Sequence, residues 1–425
     1  MIKESEYKKR RTKLAKKLSN NSVALLFSAK AKVRSNDTNY LYRQDSNFYY
    51  LTGFKEDNAC LVFLKSRKKI KTILFVQKKD AQEELWNGKR LGVVEAKKRF
   101  LFDEVRVSSD LKKSVKEFCK DKENLYFDFT KETPKIKKSV KRNFIAHYDI
   151  SIFIKEMRLI KSKAEIKFIK KAIKITKKAH HNAMKFKKIG SGENELLAKI
   201  EYTFKKNGAY SDAYTSIVAC GDSANTLHYI SNNKDLKNKE LILIDAGCEY
   251  DYYASDITRT IPVNGKFTKA QRDLYELVLD TQKKVIEMIK PKILRSDLQK
   301  KAEILLVDGM IKLGIMSGKR NKLIKKLAHK KYYPHGIGHW MGLDVHDEAP
   351  YFDKNKKEIA LRENMILTIE PGIYISKDDK NVPKKFRGIG IRIEDDIQVT
   401  KRSHKNLSKK IAKSIEEVEA KSRRT

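Results

Sequence analysis

The stretch LILIDAGCEYDYYASDITRT, Leu241 to Thr260, combines a short apolar run with two aspartates on either side of a turn signal. The run Leu241–Ile244 has the composition of a buried strand and leads into Asp245, while Asp256 lies beyond the turn. We therefore predict two strand-borne carboxylates that face each other, an arrangement that suits a hard divalent cation. On this stretch alone, two ordinary loop or edge aspartates are an equally good interpretation.

Two glutamates occupy comparable positions later in the chain. Glu370 ends an apolar run and precedes Pro-Gly, so we predict that it lies where a strand turns. Glu394 closes the alternating segment Ile389–Glu394, which predicts a strand. A glutamate flanked by isoleucines is costly to bury unless it is paired or binds a metal. An edge-strand ion pair of Glu394 with Arg392 or Arg387 is the alternative that this pattern leaves open.

Histidines are concentrated in one glycine-rich segment. His335, His339 and His346 lie within twelve residues of each other, and His228 lies upstream of the opening stretch. A lone histidine is more often a core residue than a ligand, but three in one glycine-rich loop, with carboxylates at strand ends elsewhere, favour a ligand site. Four carboxylates and at least one imidazole suit two manganese, magnesium, iron or cobalt ions better than structural zinc. Such a pair of ions can activate water and polarise a carbonyl, which points to metal-assisted hydrolysis.

The composition excludes several other classes of protein. With 425 residues, the chain is long enough for two or three domains, and its apolar fraction of 40% is that of a globular protein. Since no apolar run is long enough to span a bilayer, we expect a cytoplasmic protein without a membrane partner. The four cysteines show no CxxC spacing, so neither a zinc knuckle nor a disulfide framework is expected.

The formal net charge of +40 is high enough to raise the question of a polyanionic partner. The lysines are, however, spread along the whole chain among acidic residues. The densest basic runs, Lys135–Arg142 and Lys319–Lys331, have the pattern of helices with one solvated face. We therefore expect no specific nucleic-acid partner, although weak non-specific binding to polyanions at low salt is expected.

Pattern along the chain predicts two domains, at residues 1–158 and 159–425. Helix and strand patterns alternate in the first, which predicts a small α/β domain; there we expect a loop at Arg34–Tyr42 and, in RQDSNFYYLTGF, a strand that ends at Gly53. The second has blocks of helices followed by hairpin-type strands, which predicts an α+β domain. A hinge is expected within Ile150–Ala164, and the following helix is expected to run from Ser162 to Phe186.

Several motifs together resemble one known family. DAGCEYDYYASDITRTIPVNGKF (245–267) and HGIGHWMGLDVHD (335–347) are the most specific, and LWNGKRLG (85–92), LHY (227–229) and EPG (370–372) add to them. The chain is similar over nearly its whole length to the pita-bread metallopeptidases, which include methionine aminopeptidase, prolidase and creatinase, and most of all to bacterial aminopeptidase P. This resemblance implies a creatinase-like N-terminal α/β domain followed by a pita-bread catalytic domain.

The resemblance also implies the site residues. The ligands of two divalent ions, usually manganese, would be Asp245, Asp256, His339, Glu370 and Glu394, with Asp256 and Glu394 bridging both ions and Glu370 also accepting a proton. His228, His335 and His346 would hold the substrate and stabilise the tetrahedral intermediate, and Arg392 would line the same pocket. In the N-terminal domain, Asp37 and Trp86 match positions that help to close the site and select substrates.

The function implied is that of an Xaa-Pro aminopeptidase, which releases the N-terminal residue from peptides with proline in second position. By family analogy, the chain would form a dimer or tetramer. Prolidase activity, restricted to Xaa-Pro dipeptides, is the near alternative on the same fold. A catalytically silent pita-bread module that binds protein or nucleic acid is the alternative from another class.

Overall fold

The computed structural model describes residues 2–67, 69–131 and 144–422, so the basic run Lys135–Arg142 lies outside the described residues. The chain divides into two compact units, Met1–Met157 and Arg158–Thr425. Among the described residues, none of the helices has the length and apolar character needed to cross a membrane.

The N-terminal unit contains helices packed around a single large sheet. Its described helices are α1 (Glu4–Lys17), α2 (Ser46–Thr52), α3 (Ala81–Asn87), α4 (Gly92–Arg99), α5 (Leu111–Phe118) and α6 (Ser151–Leu159), the last of which runs into the second unit. Its strands are β1 (Ser22–Phe27), β2 (Val33–Ser35), β3 (Thr38–Asn39), β4 (Cys60–Ser66), β5 (Lys69–Val76), β6 (Glu104–Val107), β7 (Asn124–Phe127) and β8 (Ala146–Asp149).

Six of these strands form one mixed sheet in the order β6-β5-β4-β1-β7-β8. The hairpin β4–β5 is antiparallel, as is the β1–β4 pair, whereas β6, β7 and β8 join in parallel. Alternate apolar side chains such as Val23, Leu25 and Val62 pack against Val115 of α5. The predicted α/β character of this unit is confirmed.

The prediction of a strand approaching Gly53 is wrong. Asp45 caps helix α2 by accepting a hydrogen bond from the backbone N–H of Phe48 at 2.9 Å. Gly53 ends the helix with φ +66° and donates its N–H to the Tyr49 carbonyl. These two caps and burial of the whole helix outweigh the strand preference of its aromatic residues. The loop expected at Arg34–Tyr42 is a short β2–β3 hairpin.

The second unit alternates helix pairs with groups of antiparallel strands. Its helices are α7 (Lys163–Phe186), α8 (Glu193–Lys206), α9 (Lys269–Glu287), α10 (Arg295–Lys312), α11 (Arg320–Lys325) and α12 (Ile415–Ser422). Its strands are β9 (Ser211–Asp212), β10 (Ile217–Cys220), β11 (Leu241–Asp245), β12 (Cys248–Glu249), β13 (Thr258–Pro262), β14 (Ile366–Ile369), β15 (Gly372–Ile375), β16 (Ile389–Arg392), β17 (Asp395–Val399) and β18 (His404–Asn406).

The helix pairs α7–α8 and α9–α10 pack over the strands that follow them. The sheets have the orders β10-β11-β13, β14-β17-β18, β15-β16 and β12-β9, and every pairing is antiparallel. The helix expected from Ser162 begins there with a capping box formed by Ser162 and Glu165. Its apolar face joins a core that includes Ile244 of β11 and Ile391 of β16. The predicted α+β character and hairpin strands are confirmed.

Candidate metal centre

The first wall of the site is the antiparallel pair β11–β13. Asp245 is the last residue of β11 and lies opposite Thr258, the first residue of β13. Asp256 therefore lies just ahead of β13, across from Asp245. The residues between them form a narrow hairpin with a turn closed by two hydrogen bonds between Tyr250 and Tyr253. This hairpin allows two aspartates eleven positions apart, an odd number, to face the same space.

The second wall is formed where strands exchange partners. Glu370 lies between β14 and β15, and Glu394 lies between β16 and β17. Since β14 pairs with β17 and β15 pairs with β16, the two short connections lie side by side at the point where the sheets diverge. Glu370 is where the sequence predicted it, at a strand turn. Glu394 was predicted inside a strand, which is wrong: the strand ends at Arg392, because the next residues pair with a different sheet.

His339 enters from the glycine-rich loop, which lies against β14. The backbone of Gly338 approaches β14 so closely that a Cβ atom at this position would lie 1.9 Å from the Thr368 carbonyl oxygen. The N–H of His339 donates to the Thr368 hydroxyl at 3.0 Å, and the N–H of Thr368 donates to the His339 carbonyl at 2.9 Å. The position of the imidazole is therefore fixed by backbone contacts that only glycine permits at residue 338.

These five side chains converge on one space. Donor atoms of Asp245, Asp256 and Glu394 lie within 4.8 Å of one another, and so do donor atoms of His339, Glu370 and Glu394. The Nε2 atom of His339 lies 3.3 Å from a carboxylate oxygen of Asp256 and 3.6 Å from one of Glu370. Glu394 belongs to both groups, so the five donors form two adjacent triads that share one carboxylate.

Burial makes this cluster unfavourable for negative charge. It raises the pKa of Glu370 to about 7 and that of Glu394 well above its usual range, with the neighbouring carboxylates adding to both shifts. Burial also raises the pKa of Asp245, against the opposing effect of Arg392. Several buried carboxylates that repel one another are stabilised in their ionised form by a cation. Four carboxylates with one imidazole therefore fit hard divalent ions.

Asp256 and His339 behave as an ion pair. Burial disfavours the charged form of each, but their mutual attraction is stronger: it lowers the pKa of Asp256 and, together with Glu370, raises that of His339 to about 9. His339 thus supplies a positive charge next to the carboxylates. A metal ion at this place would take over that role and displace the imidazole proton.

Arg392 links the first wall to the second. Its guanidinium donates to Asp245 at 2.6 Å, to the Thr258 hydroxyl at 3.1 Å and to the Tyr374 hydroxyl at 2.9 Å. The Thr258 hydroxyl in turn donates to Glu394 at 2.8 Å. Arg392 therefore forms its short ion pair with Asp245, and Glu394 accepts from a neutral hydroxyl.

The hydrogen bonds of His335 define its tautomer. Arginine has only donors, so the Tyr374 oxygen accepts from Arg392 and its O–H donates to Nε2 of His335 at 2.8 Å. The proton of His335 is then on Nδ1, 2.8 Å from the Gly336 carbonyl. Burial, with the charge of Arg392, lowers the pKa of His335 to about 4, which keeps the imidazole neutral. Its Nδ1 lies 3.8 Å from Glu370.

The two remaining histidines are at the solvent side of the cluster. The imidazole of His346 lies edge-on to that of His339 with 4.0 Å between ring centroids, and one of its nitrogens is within 4.8 Å of donors of Asp256 and His339. Burial and the charge of His339 lower the pKa of His346. His228 is exposed and lies in the turn after the 3-10 helix Gly221–Asn225.

The two N-terminal candidates belong to the other unit. Asp37 is an exposed residue of the turn between β2 and β3. Trp86 lies in α3 with 79% of its surface exposed, which is unusual for the largest apolar side chain. Their roles in closing the site and selecting substrates stay predictions.

The structure adds residues that the sequence did not reveal. The Tyr214 hydroxyl donates to Asp245 at 2.6 Å, the Thr368 hydroxyl lies 3.4 Å from Glu370, and the backbone N–H of Asp256 donates to Asp396 at 3.2 Å. Thr258 and Tyr374 complete this outer layer. Thr258 lies within the motif 245–267 and Thr368 two residues before Glu370, so both could have been found as hydroxyl partners of buried carboxylates. Tyr214 carries no local signal, because its approach to Asp245 is purely tertiary.

Comparison with known families agrees with this geometry. Residues 167–401 match the model of metallopeptidase family M24, and residues 7–126 match the aminopeptidase P N-terminal domain. The chain belongs to metallopeptidase family M24. It is therefore a metalloaminopeptidase with a pita-bread catalytic unit that uses divalent metal ions, and the expected creatinase-type N-terminal domain is confirmed.

The similarity extends over whole chains. The chain is 40% identical to the Xaa-Pro aminopeptidase of Haemophilus influenzae over 97% of its own length and 96% of the relative's. It is 37% identical to the Xaa-Pro aminopeptidase of Escherichia coli, with 99% and 98% covered. The solved structure of zinc-substituted E. coli aminopeptidase P in complex with product matches with a TM-score of 0.95 at 36% identity, covering 99% of this chain and 98% of the other.

Proposed function

We propose that this protein is an Xaa-Pro aminopeptidase that releases the N-terminal residue from peptides with proline in second position. The observation that carries the proposal is the pair of triads, Asp245–Asp256–Glu394 and His339–Glu370–Glu394, which share Glu394. Whole-chain similarity to relatives named Xaa-Pro aminopeptidase supports the same function.

We assign these five residues as the ligands of two divalent ions and propose manganese as the metal. When bound, the ions supply Lewis-acid activation of a water and of the scissile carbonyl. Glu394 belongs to both triads, and Asp256 belongs to the first triad and to a further donor group with His339 and His346, as bridging carboxylates would. The two triads together contain four carboxylates and one imidazole, and such a mainly oxygen donor set favours the harder ions.

Glu370 is proposed to accept the proton of the attacking water and pass it to the leaving proline nitrogen. Its side chain is close to both His339 and His335, so a proton taken up there remains within the site. His335, kept neutral and oriented by Tyr374, is proposed to hold the substrate. His228 and His346, at the solvent side, are proposed to hold the substrate and stabilise the tetrahedral intermediate, and Arg392 to line the pocket while orienting Asp245.

The test combines metal analysis with cleavage of two peptides. The purified protein, its metal content measured by mass spectrometry, is given the tripeptide Arg-Pro-Pro and an Xaa-Pro dipeptide. We expect manganese-dependent release of arginine from the tripeptide, and a loss of at least about 1,000-fold in kcat for Glu370→Gln. Activity confined to the dipeptide would instead identify a prolidase, and absence of both metal uptake and cleavage would contradict the proposal.

We further propose that the protein acts in the cytoplasm as a homo-oligomer, a dimer or tetramer, with domains at residues 1–158 and 159–425. The four cysteines are all unpaired and buried, which is compatible with a reducing compartment. Asp37 and Trp86 are proposed to select substrates; Trp86→Ala should raise KM for Arg-Pro-Pro without changing metal content. Light scattering measures the oligomeric state.

A further inference from the structure

The segment that carries His346 is held by a buried cluster of four charged side chains. Arg158 donates to Asp347 and to Asp344, each at 2.5 Å, and Lys161 donates to Asp347 at 3.0 Å. The side chains of Arg158, Lys161 and Asp347 are 1–2% exposed, while Asp344 is partly exposed. Two cations and two carboxylates balance, so the cluster is neutral as a whole.

The cluster closes the end of the glycine-rich loop on itself. The N–H of Asp347 donates to the Trp340 carbonyl at 2.8 Å, and the N–H of Gly342 donates to the Asp344 carbonyl at 3.0 Å. A Cβ atom on Gly342 would lie 2.8 Å from a carboxylate oxygen of Asp347 and 3.0 Å from the side chain of Lys161. The ion pairs and the loop backbone therefore fit together without free space.

His346 immediately precedes Asp347, whereas His339 is anchored independently through Thr368. The two imidazoles are in edge-on contact at 4.0 Å between centroids, and the segments that carry them are held by different side chains and joined by the hydrogen bond from Asp347 to Trp340. The anchor of His346 is the pairing of Asp347 with Arg158 and Lys161, which come from the chain segment before helix α7.

We propose that Arg158, Lys161 and Asp347 are positioning residues that fix His346 against His339 at the metal centre. The proposal rests on the substrate-handling role proposed above for His346. A buried ion pair contributes little net stability compared with well-packed apolar residues, but it fixes geometry. Here Nη2 of Arg158 ties two carboxylates of the loop, Asp344 and Asp347, to one point. A purely structural role would predict loss of stability with no special connection to His346.

A double-mutant cycle between Asp347→Asn and His346→Ala separates these two roles. We expect Asp347→Asn to lower kcat for Arg-Pro-Pro by about 10-fold or more, with metal content unchanged, and to have less than about 3-fold effect in the His346→Ala background. An equal reduction of kcat in both backgrounds, or kcat within 2-fold of wild type for Asp347→Asn, would overturn the proposal. Should Asp347→Asn not fold, Arg158→Lys, which keeps the charge but replaces the planar guanidinium, takes its place in the same cycle.

The control is Glu419→Gln, which weakens a partly buried ion pair of the same unit. Glu419 accepts from Arg272 at 3.1 Å and from the N–H of Phe267 at 3.2 Å. We expect this variant to lose stability without loss of kcat. If it lowers kcat as much as Asp347→Asn does, the effect is one of general stability and the proposal fails.

A second measurement does not depend on peptidase activity. In the metal-free protein labelled with nitrogen-15 at histidine, the imidazole signals of His346 should shift in Asp347→Asn, while those of His180, which is buried against the Ala246 carbonyl, should not. Unchanged His346 signals would overturn the proposal even if the peptidase is active. Shifted signals in a protein that cleaves no Xaa-Pro peptide would support the positioning role and contradict only the proposed function.

Discussion

Asp245 and Asp256 carry the same carboxyl group, yet their pKa values move in opposite directions. Both are buried, which raises the pKa of either. At Asp245 the effect of burial prevails over that of Arg392, whereas at Asp256 the adjacent His339 prevails. The difference lies in the partner of each carboxylate, and only the folded chain supplies those partners.

The raised pKa of Glu370, about 7, makes metal binding dependent on pH. Below pH 7 an incoming ion must displace a proton from this carboxyl, and His339, with its pKa of about 9, must also release one. We expect the affinity for Mn²⁺ to rise by about 10-fold or more per pH unit between pH 5 and 7, measured by competition with a chelating dye. A flat profile would contradict the assignment, and Glu370→Gln should show a shallower slope.

The raised pKa of Glu370 also determines whether the stability of the protein rises or falls with pH. A carboxyl whose pKa is raised by folding contributes stability below its unfolded value, near 4.5, and this contribution is lost as pH rises through about 7. The metal-free protein should therefore lose the contribution of Glu370 to stability between about pH 4.5 and 7. Metal should accordingly raise Tm more at pH 8 than at pH 5.5, as thermal unfolding with and without chelator would show.

Among the segments that build the site, the glycine-rich loop depends most on one residue type for its conformation. Gly338→Ala would place a methyl group 1.9 Å from a backbone oxygen of β14 and so displace His339. We expect at least about 10-fold weaker metal binding, measured by the same dye competition, and a fall in peptidase activity.

The same loop offers a matched control. At Gly336 the nearest atoms to a built Cβ are side-chain atoms of Arg295 and Gln299 at 3.7 and 3.9 Å, which is ordinary contact. Gly336→Ala should therefore bind metal within about 3-fold of wild type. Equal losses in the two variants would show that the loop responds to any added methyl group, against the close-approach argument.

The hairpin between Asp245 and Asp256 is the second element on which the site depends. A glycine inserted between Tyr253 and Ala254 would shift Asp256 relative to its anchor on β13 and change the face to which it points. We expect metal affinity to fall by more than about 10-fold while the circular dichroism spectrum is retained.

An insertion at the tip of this hairpin is the control. Asp251 and Tyr252 have φ of +50° and +70° and lie beyond the last hydrogen-bonded pair. A glycine inserted between them lengthens the turn without moving either aspartate, so metal affinity should be retained. Equal effects of the two insertions would refute the view that register at Asp256 is what the hairpin controls.

For the molecule as a whole, an overall excess of positive charge contrasts with a local concentration of carboxylates. The chain carries 94 lysine and arginine residues against 54 aspartate and glutamate residues, while four carboxylates are concentrated at the candidate metal centre. Lysines of α11 and its surroundings, within the predicted basic run Lys319–Lys331, lie on an exposed helix face as expected. A spread of solvated lysines is expected to produce a diffuse positive field.

Binding to duplex DNA should therefore be weak, independent of sequence and strongly dependent on salt. We expect retention at about 20 mM salt that is lost by about 300 mM, measured by fluorescence anisotropy with two unrelated duplexes. Peptidase activity should be unchanged by the DNA. A preference for one duplex that persists at 150 mM salt would contradict the expectation that the charge has no specific partner.

The amino-acid sequence by itself determined the class of each domain, most of the strands and helices, and the residue types of the metal centre. These properties follow from local patterns: apolar periodicity, capping residues such as Ser162, and carboxylates placed at strand ends. Where two local signals competed, the pattern did not predict the correct element: the caps of α2 favour a helix, whereas its aromatic residues favour a strand.

Only the tertiary structure decided how the donors meet. Strands that exchange partners between sheets place Glu394 between two strands instead of within one. The same tertiary arrangement lets two triads share Glu394 and brings Tyr214 to Asp245. The pairing of Arg158 with Asp347, 189 positions away, is equally non-local. Contacts of this kind produce no periodic pattern in the sequence, because the two partners are far apart along the chain and meet only when it has folded.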